Sequence, residues 1–304
     1  MWPKRQAECR RLSEALRRHS VSVRALPGVD SDAARETLAW QFIASLRRED
    51  YYQAVQFKAV DCRRANPNSE MFDAERAVAF HLQQNDVEEA CWLIFLMTHF
   101  ARPTTGWRRL RDVYGVLGKG VWDWKTVSAN PQAMIDWLAQ NWKDIGGKFG
   151  NHRKYESLRP DSHRCFASVL SSYLAWIGQD GHRKFFADAV RASGNNPGVI
   201  FDSLYRGMTI ATFGRLARFD YLALIGRYKI APLAAASAYL DTATGPKSGV
   251  RLLFLGNTKN RTHDRELQVW LDRLDQDLGV GMEVMEDALC NWQKSPSSFV
   301  HYKG

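Results

Sequence analysis

Four stretches of the chain gather side chains able to hold anions or move protons. FGNHRKYESL sets Asn151, His152, Arg153, Lys154 and Tyr155 behind glycine-containing turns. A flexible backbone with three cationic or potentially cationic side chains suits a clamp on phosphate oxygens. A solvated basic loop has the same composition. FGRLARFDYLALI sets Asp220 between Phe219 and Tyr221 in an otherwise apolar and basic helix. A carboxylate on an apolar stretch must be solvated, paired or functional, and Arg215 and Arg218 are near enough along the helix to pair with it. In YLDTATGPKSGVRLLF, Gly245, Pro246 and Gly249 shape a turn that holds Lys247, and Arg251 follows. Backbone amides and cations presented together describe an anion-binding loop, or equally the start of an unliganded helix. In MEVMEDALCNWQKSP, Met285, Ala288, Leu289 and Trp292 form an apolar stripe. Glu286, Cys290 and Lys294, spaced by four, align on an adjacent face with Asp287 and Asn291 beside them. Such an edge can line an active site or form an exposed polar ladder.

Other machinery is absent from the sequence. GVLGKG lacks the full phosphate-loop pattern GxxxxGK[ST], and neither HExxH nor GxSxG occurs. The eight histidines are scattered singly, and the five cysteines (Cys9, Cys62, Cys91, Cys165, Cys290) form no CxxC pair. No metal site, iron–sulfur cluster, disulfide framework or cofactor is therefore expected. Lys plus Arg outnumber Asp plus Glu by 42 to 33, for a net charge of +9, an excess that attracts a phosphate backbone. The longest apolar run, Ala90 to Met97, is too short to span a bilayer. The N-terminus is basic without the apolar core of a signal peptide, so the expected compartment is the cytoplasm.

The elements that must position these groups read as helices. Leu12 and Leu16 give a short basic helix over Arg5–Arg18, and Asp30 or Ser31 is placed to cap a helix from Ala33 to Arg48. Asp86 opens DVEEACWLIFLMTHF, with Glu88 and Glu89 where the helix dipole favours acids. This helix is apolar nearly all round, which places it at the centre of its domain. GVLGKGVWDWKTV and ATGPKSG read as loops, and a single long helix is predicted from Asp264 to Trp292. With no repeat and no sustained alternation, the predicted fold class is all-α.

The four groupings, in this order, resemble the family of alpha-glutamyl/putrescinyl thymine pyrophosphorylases, its third clade in particular, over nearly the whole chain. Asp220 matches the acid of an Asp-Leu helix in the sister clades, and Gly245, Pro246 and Gly249 match their GPGxxRG-like turn. Glu286, Leu289, Cys290 and Lys294 match a C-terminal ExxLCEFxK element. The chain departs at Asn291, Tyr221 and Lys247, where sister clades carry Glu, Leu and Gly. The resemblance implies a fold related to helical DNA glycosylases, with two helical lobes around a cleft. The expected lobes are residues 1–150 and 151–304, joined near 145–160. It also implies work on hypermodified DNA bases. The expected reaction is excision of a bulky 5-substituted pyrimidine, such as glucosylated hydroxymethylcytosine, from double-stranded phage DNA. Asp220 is the first choice for the carboxylate beside the anomeric carbon and Glu286 the second, while Lys294 or Lys247 acting as an amine would add lyase activity. Trp124 and Asn291 are the base-pocket residues, and no membrane or obligate protein partner is expected. One alternative is a transferase that replaces pyrophosphate on 5-hydroxymethyluracil with glutamate or putrescine. The other is a non-enzymatic module that binds modified DNA.

Overall fold

The computed structural model describes residues 1–302, all in helices, turns and irregular segments. Among these residues there are fourteen α-helices and no strand, and the one β-type pairing is an isolated bridge between Ser157 and Cys165. The all-α expectation is met. No described helix is long and apolar enough to cross a membrane.

The chain forms two compact units. The first comprises Met1–Tyr51 and Ala234–Gly304, the second Tyr52–Leu233. Residues 145–160, the expected lobe junction, thus lie inside the second unit.

The first unit holds α1 (Gln6–Ser22) and the start of α2 (Asp32–Phe57). The Ser31 hydroxyl accepts the Ala34 N–H at 3.2 Å, as its position predicts for a cap. The unit ends with three helices from the C-terminal part of the chain, which we number α12 to α14 after the second unit's nine. The second unit holds α3 (Ala74–Gln83), α4 (Val87–Phe100), α5 (Arg108–Tyr114), α6 (Trp124–Ala129) and α7 (Pro131–Asn141). It continues with α8 (Phe166–Ile177), α9 (Gly181–Ser193), α10 (Pro197–Gly207) and α11 (Arg215–Arg227). The first unit then closes with α12 (Gly245–Leu255), α13 (Asp264–Leu278) and α14 (Met282–Trp292).

Helix α4 is the axis of its unit. Asp86 caps it by accepting the Glu89 N–H, and every residue from Glu89 to Phe100 is buried. Side chains with no polar face to offer leave the helix no solvated side. Its aromatics stack on those of α8: Phe95 and Tyr173 lie 3.8 Å apart with nearly parallel rings. Such ring pairs add to the area they bury.

Besides α2, which continues past Arg48 to Phe57, and α6, which begins at Trp124 inside a stretch expected to be a loop, two elements differ from what the sequence predicts. The predicted helix from Asp264 to Trp292 is two, because Gly279 and Gly281 take φ of 64° and 87°, a left-handed conformation that stops a helix and that glycine adopts without steric cost. ATGPKSG is not a loop throughout, for α12 begins at Gly245 with a proline in its first turn. Proline's missing N–H is no loss there, since first-turn amides have no partner within the helix.

Helices α12 and α14 approach backbone to backbone. A Cβ on Gly249 would lie 2.3 Å from the Leu289 carbonyl oxygen, and one on Gly245 would lie 2.5 Å from the Cys290 sulfur. Gly249→Ala is therefore expected to destabilise the protein by about 2–3 kcal/mol, since the obstacle is main chain rather than a movable side-chain end. Urea unfolding at neutral pH checks this, and an unchanged midpoint would contradict the close approach.

Candidate functional site

The first two groupings meet within the second unit. Residues Asn151–Arg153 form a single 3-10 turn after Gly150. Asn151, His152, Lys154 and Tyr155 are exposed, whereas Arg153 is buried at 6 % exposure. The Arg153 guanidinium donates to the Thr212 carbonyl at 2.8 Å and the Thr212 hydroxyl at 2.9 Å, and it lies over the Phe213 ring. Its ion-pair partner is Glu156, 3.5 Å away and itself buried. Glu156 also accepts from the Thr212 hydroxyl and pairs with Arg164. Thr212 takes a positive φ of 62°, a costly conformation for a β-branched residue that these contacts hold in place. Arg153 therefore ties the loop to the segment that leads into α11.

Asp220 sits half-buried on α11, and its charge reaches Arg153. Burial lowers the proton affinity of the Arg153 guanidinium, while Glu156 and Asp220 oppose that effect and Arg164 adds to it. Arg153 was expected to grip phosphate. The structure instead gives it internal acceptors and leaves the exposed cationic positions of the loop to its neighbours.

Tyr221, the departure next to Asp220, is fully buried. Its hydroxyl lies 3.3 Å from that of Tyr173, which lies 2.6 Å from His182 Nε2. His182 Nδ1 lies 2.7 Å from a Glu88 oxygen. Burial lowers the His182 pKa, so a neutral ring donates through Nδ1 to Glu88 and accepts the Tyr173 proton at Nε2. A buried hydroxyl requires a partner, and this row of side chains supplies it. It fixes α11, and with it Asp220, against α8 and α9.

The other two groupings lie in the first unit and are largely packed. Lys247 is ion-paired to Asp264 at 2.7 Å and Arg251 to the same carboxylate at 3.3 Å. Gly245 faces Cys290. The turn and the terminal helix that share the resemblance are thus neighbours, and glycine is what their contact requires. Along α14, Lys294 donates to Asn291 at 2.8 Å, and Asn291 donates to Asp287 at 2.9 Å. Asp287 accepts from Ser45 at 2.6 Å and pairs with Arg48. Asn291 and Glu286 are buried, while Lys294 is exposed. These bonds make a polar row from Lys294 through Asn291 to Asp287, but with Glu286 and Asn291 buried it is not the exposed i,i+4 ladder that the sequence allows.

Trp124 lines a cavity of about 710 Å³ in the second unit, which the sequence reading did not identify. Glu89 also lines it, buried at 4 % exposure. One Glu89 oxygen accepts from the Tyr114 hydroxyl at 2.5 Å and the other from the Trp124 N–H at 2.6 Å. Burial pushes its carboxyl from 4.5 up to about 7, against those two hydrogen bonds, and Asp123 and Asp86 add to the rise. A signal was present in the sequence: a helix apolar on all sides gives an acid in its first turn nowhere to reach water. The segment entering the cavity wall is unusual as well. Val116 and Leu117 both take positive φ, 51° and 53°, and strained backbone of this kind concentrates at functional sites.

The raised Glu89 pKa has a sign that can be tested. The folded state holds a proton that the unfolded state releases near its ordinary pKa. Stability is therefore fully present below the ordinary value and lost as pH rises through about 7. Between about pH 5 and pH 8 the native protein is expected to lose on the order of 3 kcal/mol relative to Glu89→Gln, which has no proton to release. Urea melts of both proteins across that range measure the difference.

A family model described as alpha-glutamyl/putrescinyl thymine pyrophosphorylase clade 3 matches residues 33–304. No match was found among curated proteins or among solved structures. The match takes in α3 to α14, including the Asp220 helix, the Gly245–Gly249 packing and the α14 polar row, and the chain belongs to the alpha-glutamyl/putrescinyl thymine pyrophosphorylase family, clade 3.

Proposed function

We propose that the chain is a DNA N-glycosylase that excises a bulky 5-substituted pyrimidine from double-stranded DNA, leaving an abasic site. The supporting observation is that Arg153 links an exposed basic loop to the electrostatic neighbourhood of the half-buried Asp220. Phosphate oxygens need exposed donors, which Asn151, His152 and Lys154 present, with Tyr155 beside them as a stacking surface. Sugar chemistry needs a carboxylate held nearby. When the bond between C1′ and the base nitrogen breaks, its electron pair leaves with the base and positive charge develops on the sugar. The Asp220 carboxylate stabilises that charge and orients a water. The water oxygen bonds to C1′, and its proton ends on the departing base or in solvent. The base must leave the helix stack for this to happen. The +9 net charge favours the polyanion throughout. Phage DNA bearing glucosylated hydroxymethylcytosine is the first substrate to test, since its removal in the cytoplasm would serve antiviral defence.

The second reading is a transferase that replaces pyrophosphate on 5-hydroxymethyluracil in DNA with an amine, and the family description favours it. Incubation with glucosylated phage DNA, beside unmodified DNA, separates the two. Free modified base with matching abasic sites supports the glycosylase. No release by folded, DNA-bound protein sinks it and moves the test to pyrophosphorylated DNA with labelled amines.

A further inference from the structure

Most of the net charge is concentrated in one region of the second unit. Segments 101–114 and 143–164 together hold ten Lys and Arg against four Asp and Glu, which accounts for six of the chain's nine net positive charges. The two segments are stitched to each other. Arg109 donates to the Gly146 and Gly147 carbonyls at 3.3 and 2.6 Å, and the Gly146 N–H donates to Asp112 at 2.9 Å. The Gly150 N–H donates to the Phe100 carbonyl at 2.9 Å. Gly147 takes a φ of 66°, and a Cβ there would lie 2.9 Å from the Arg109 backbone nitrogen, so this approach requires glycine. Arg159 reaches back to within 5.9 Å of the centre of the Trp142 ring, which brings the far side of the NHRKY loop to the same region.

Aromatic rings interleave with these cations. Tyr155 is 71 % exposed, with the Lys154 ammonium 5.0 Å from its ring centre. Trp142, part-exposed, has Lys143 at 5.7 Å as well as Arg159, and part-exposed Trp107 has Arg102 at 5.7 Å. Arg102 and Arg159 have acids of their own in Glu75 and Asp161. Lys143, Lys148 and Lys154 are exposed and form no ion pair among the described residues. Asp112 serves both Arg108 and Arg111, each at 3.6 Å, so that pair keeps a positive excess. A duplex presents phosphates but hides its base faces in the stack, so it would use the lysines and leave the rings idle. An unpaired strand presents both groups.

We infer that this region binds a short stretch of single-stranded DNA, with Lys143, Lys148 and Lys154 on the phosphates and Tyr155 and Trp142 stacked on unpaired bases. Stacking on an aromatic ring is tolerant of sequence because every base has a π-face. The stitched backbone sets the rings and cations in place before a strand arrives, which lowers the ordering cost of binding. A glycosylase has a use for such a surface, since extruding a base costs a few kcal/mol of unpairing and unstacking, and stacked neighbours offset it. The choice of DNA over RNA rests on the proposed function, whereas the stacking draws nothing from Asp220.

The test titrates the full chain into four fluorescent probes of about a dozen nucleotides, within the span that single-strand sites cover. They are oligothymidylate, its duplex with oligoadenylate, an abasic strand of the same length, and oligouridylate. Oligothymidylate is expected to bind at least about fivefold more tightly than the abasic strand, which keeps the phosphates and lacks the bases, and more tightly than the duplex. Tyr155→Ala should weaken oligothymidylate about tenfold and narrow its lead over the abasic strand. Trp142→Leu should act in the same direction, and the exposed position of Tyr155 covers the case in which the Trp142 variant does not fold. Lys148→Ala should weaken both strands alike and lower the salt dependence by about one counterion. Equal binding of the abasic strand, tighter binding of the duplex, or oligothymidylate affinity unchanged in Tyr155→Ala would overturn the assignment. Tighter binding of oligouridylate than of oligothymidylate would overturn the choice of DNA. Base release from duplex DNA is measured separately, so the glycosylase reading stands or fails independently of these titrations.

Discussion

Asp220→Asn is expected to lower release of a modified base from DNA by at least about 100-fold. The substitution keeps the shape and hydrogen-bonding atoms of the side chain and removes only its charge. Loss of a fixed electrostatic stabiliser from a site where charge develops costs about 10²- to 10³-fold in rate, and a carboxylate facing a sugar cation is such a stabiliser. The location supports this weight. Asp220 is half-buried, so its field is less screened than that of a surface acid. Its helix is clamped by the Tyr221–Tyr173–His182–Glu88 row, so its place is set before substrate arrives. Single-turnover base release on glucosylated DNA, with DNA affinity measured in parallel, checks the prediction. An unchanged affinity with lost release identifies a chemical role. Retained release would shift the carboxylate role to Glu286, and a biological effect that survives without any base release would favour a binding module.

The helices were legible in the sequence wherever one local signal governed them. Asp86 capping an all-apolar run predicts α4, and the structure buries that run completely. The break at Gly279–Gly281 was not legible, because glycine within an amphipathic pattern is compatible with a continuous helix until its φ is known. The site was legible as motifs but not as assignments. Gly245 and Gly249 read as an anion loop, while the structure uses them for contact with α14. Lys247 and Arg251 read as phosphate ligands, while both pair with Asp264, a residue thirteen or more positions away. Pairings across that distance leave no periodic trace in a single sequence. Glu89 was hidden for a related reason. Its position in the first turn satisfies the helix dipole, which masks the hint given by the all-apolar helix behind it, and the packing of Tyr114 and Trp124 around it shows the unusual carboxyl.

The same contrast divides the NHRKY loop by side chain, with opposite consequences for two adjacent cations. Arg153→Met is expected to destabilise the fold by about 3 kcal/mol, whereas Lys154→Ala should leave stability unchanged. Arg153 is buried against Glu156, and removing it strips a buried carboxylate of one partner while orphaning the Thr212 acceptors. Arg164 continues to pair with Glu156, which holds the cost near the low end of the range for broken buried pairs. A second substitution, Glu156→Gln, removes the stranded charge, so the double variant should recover part of the loss. Lys154 is exposed, with its ammonium 5.0 Å from the centre of the Tyr155 ring. Its loss should weaken DNA binding similarly for all sequences and reduce the salt dependence of that binding by about one counterion. Urea melts and DNA titrations over a range of salt distinguish the two roles. If Arg153→Met melted like the native protein while losing DNA affinity, the loop would be a phosphate clamp through Arg153, and the internal network would carry no structural weight.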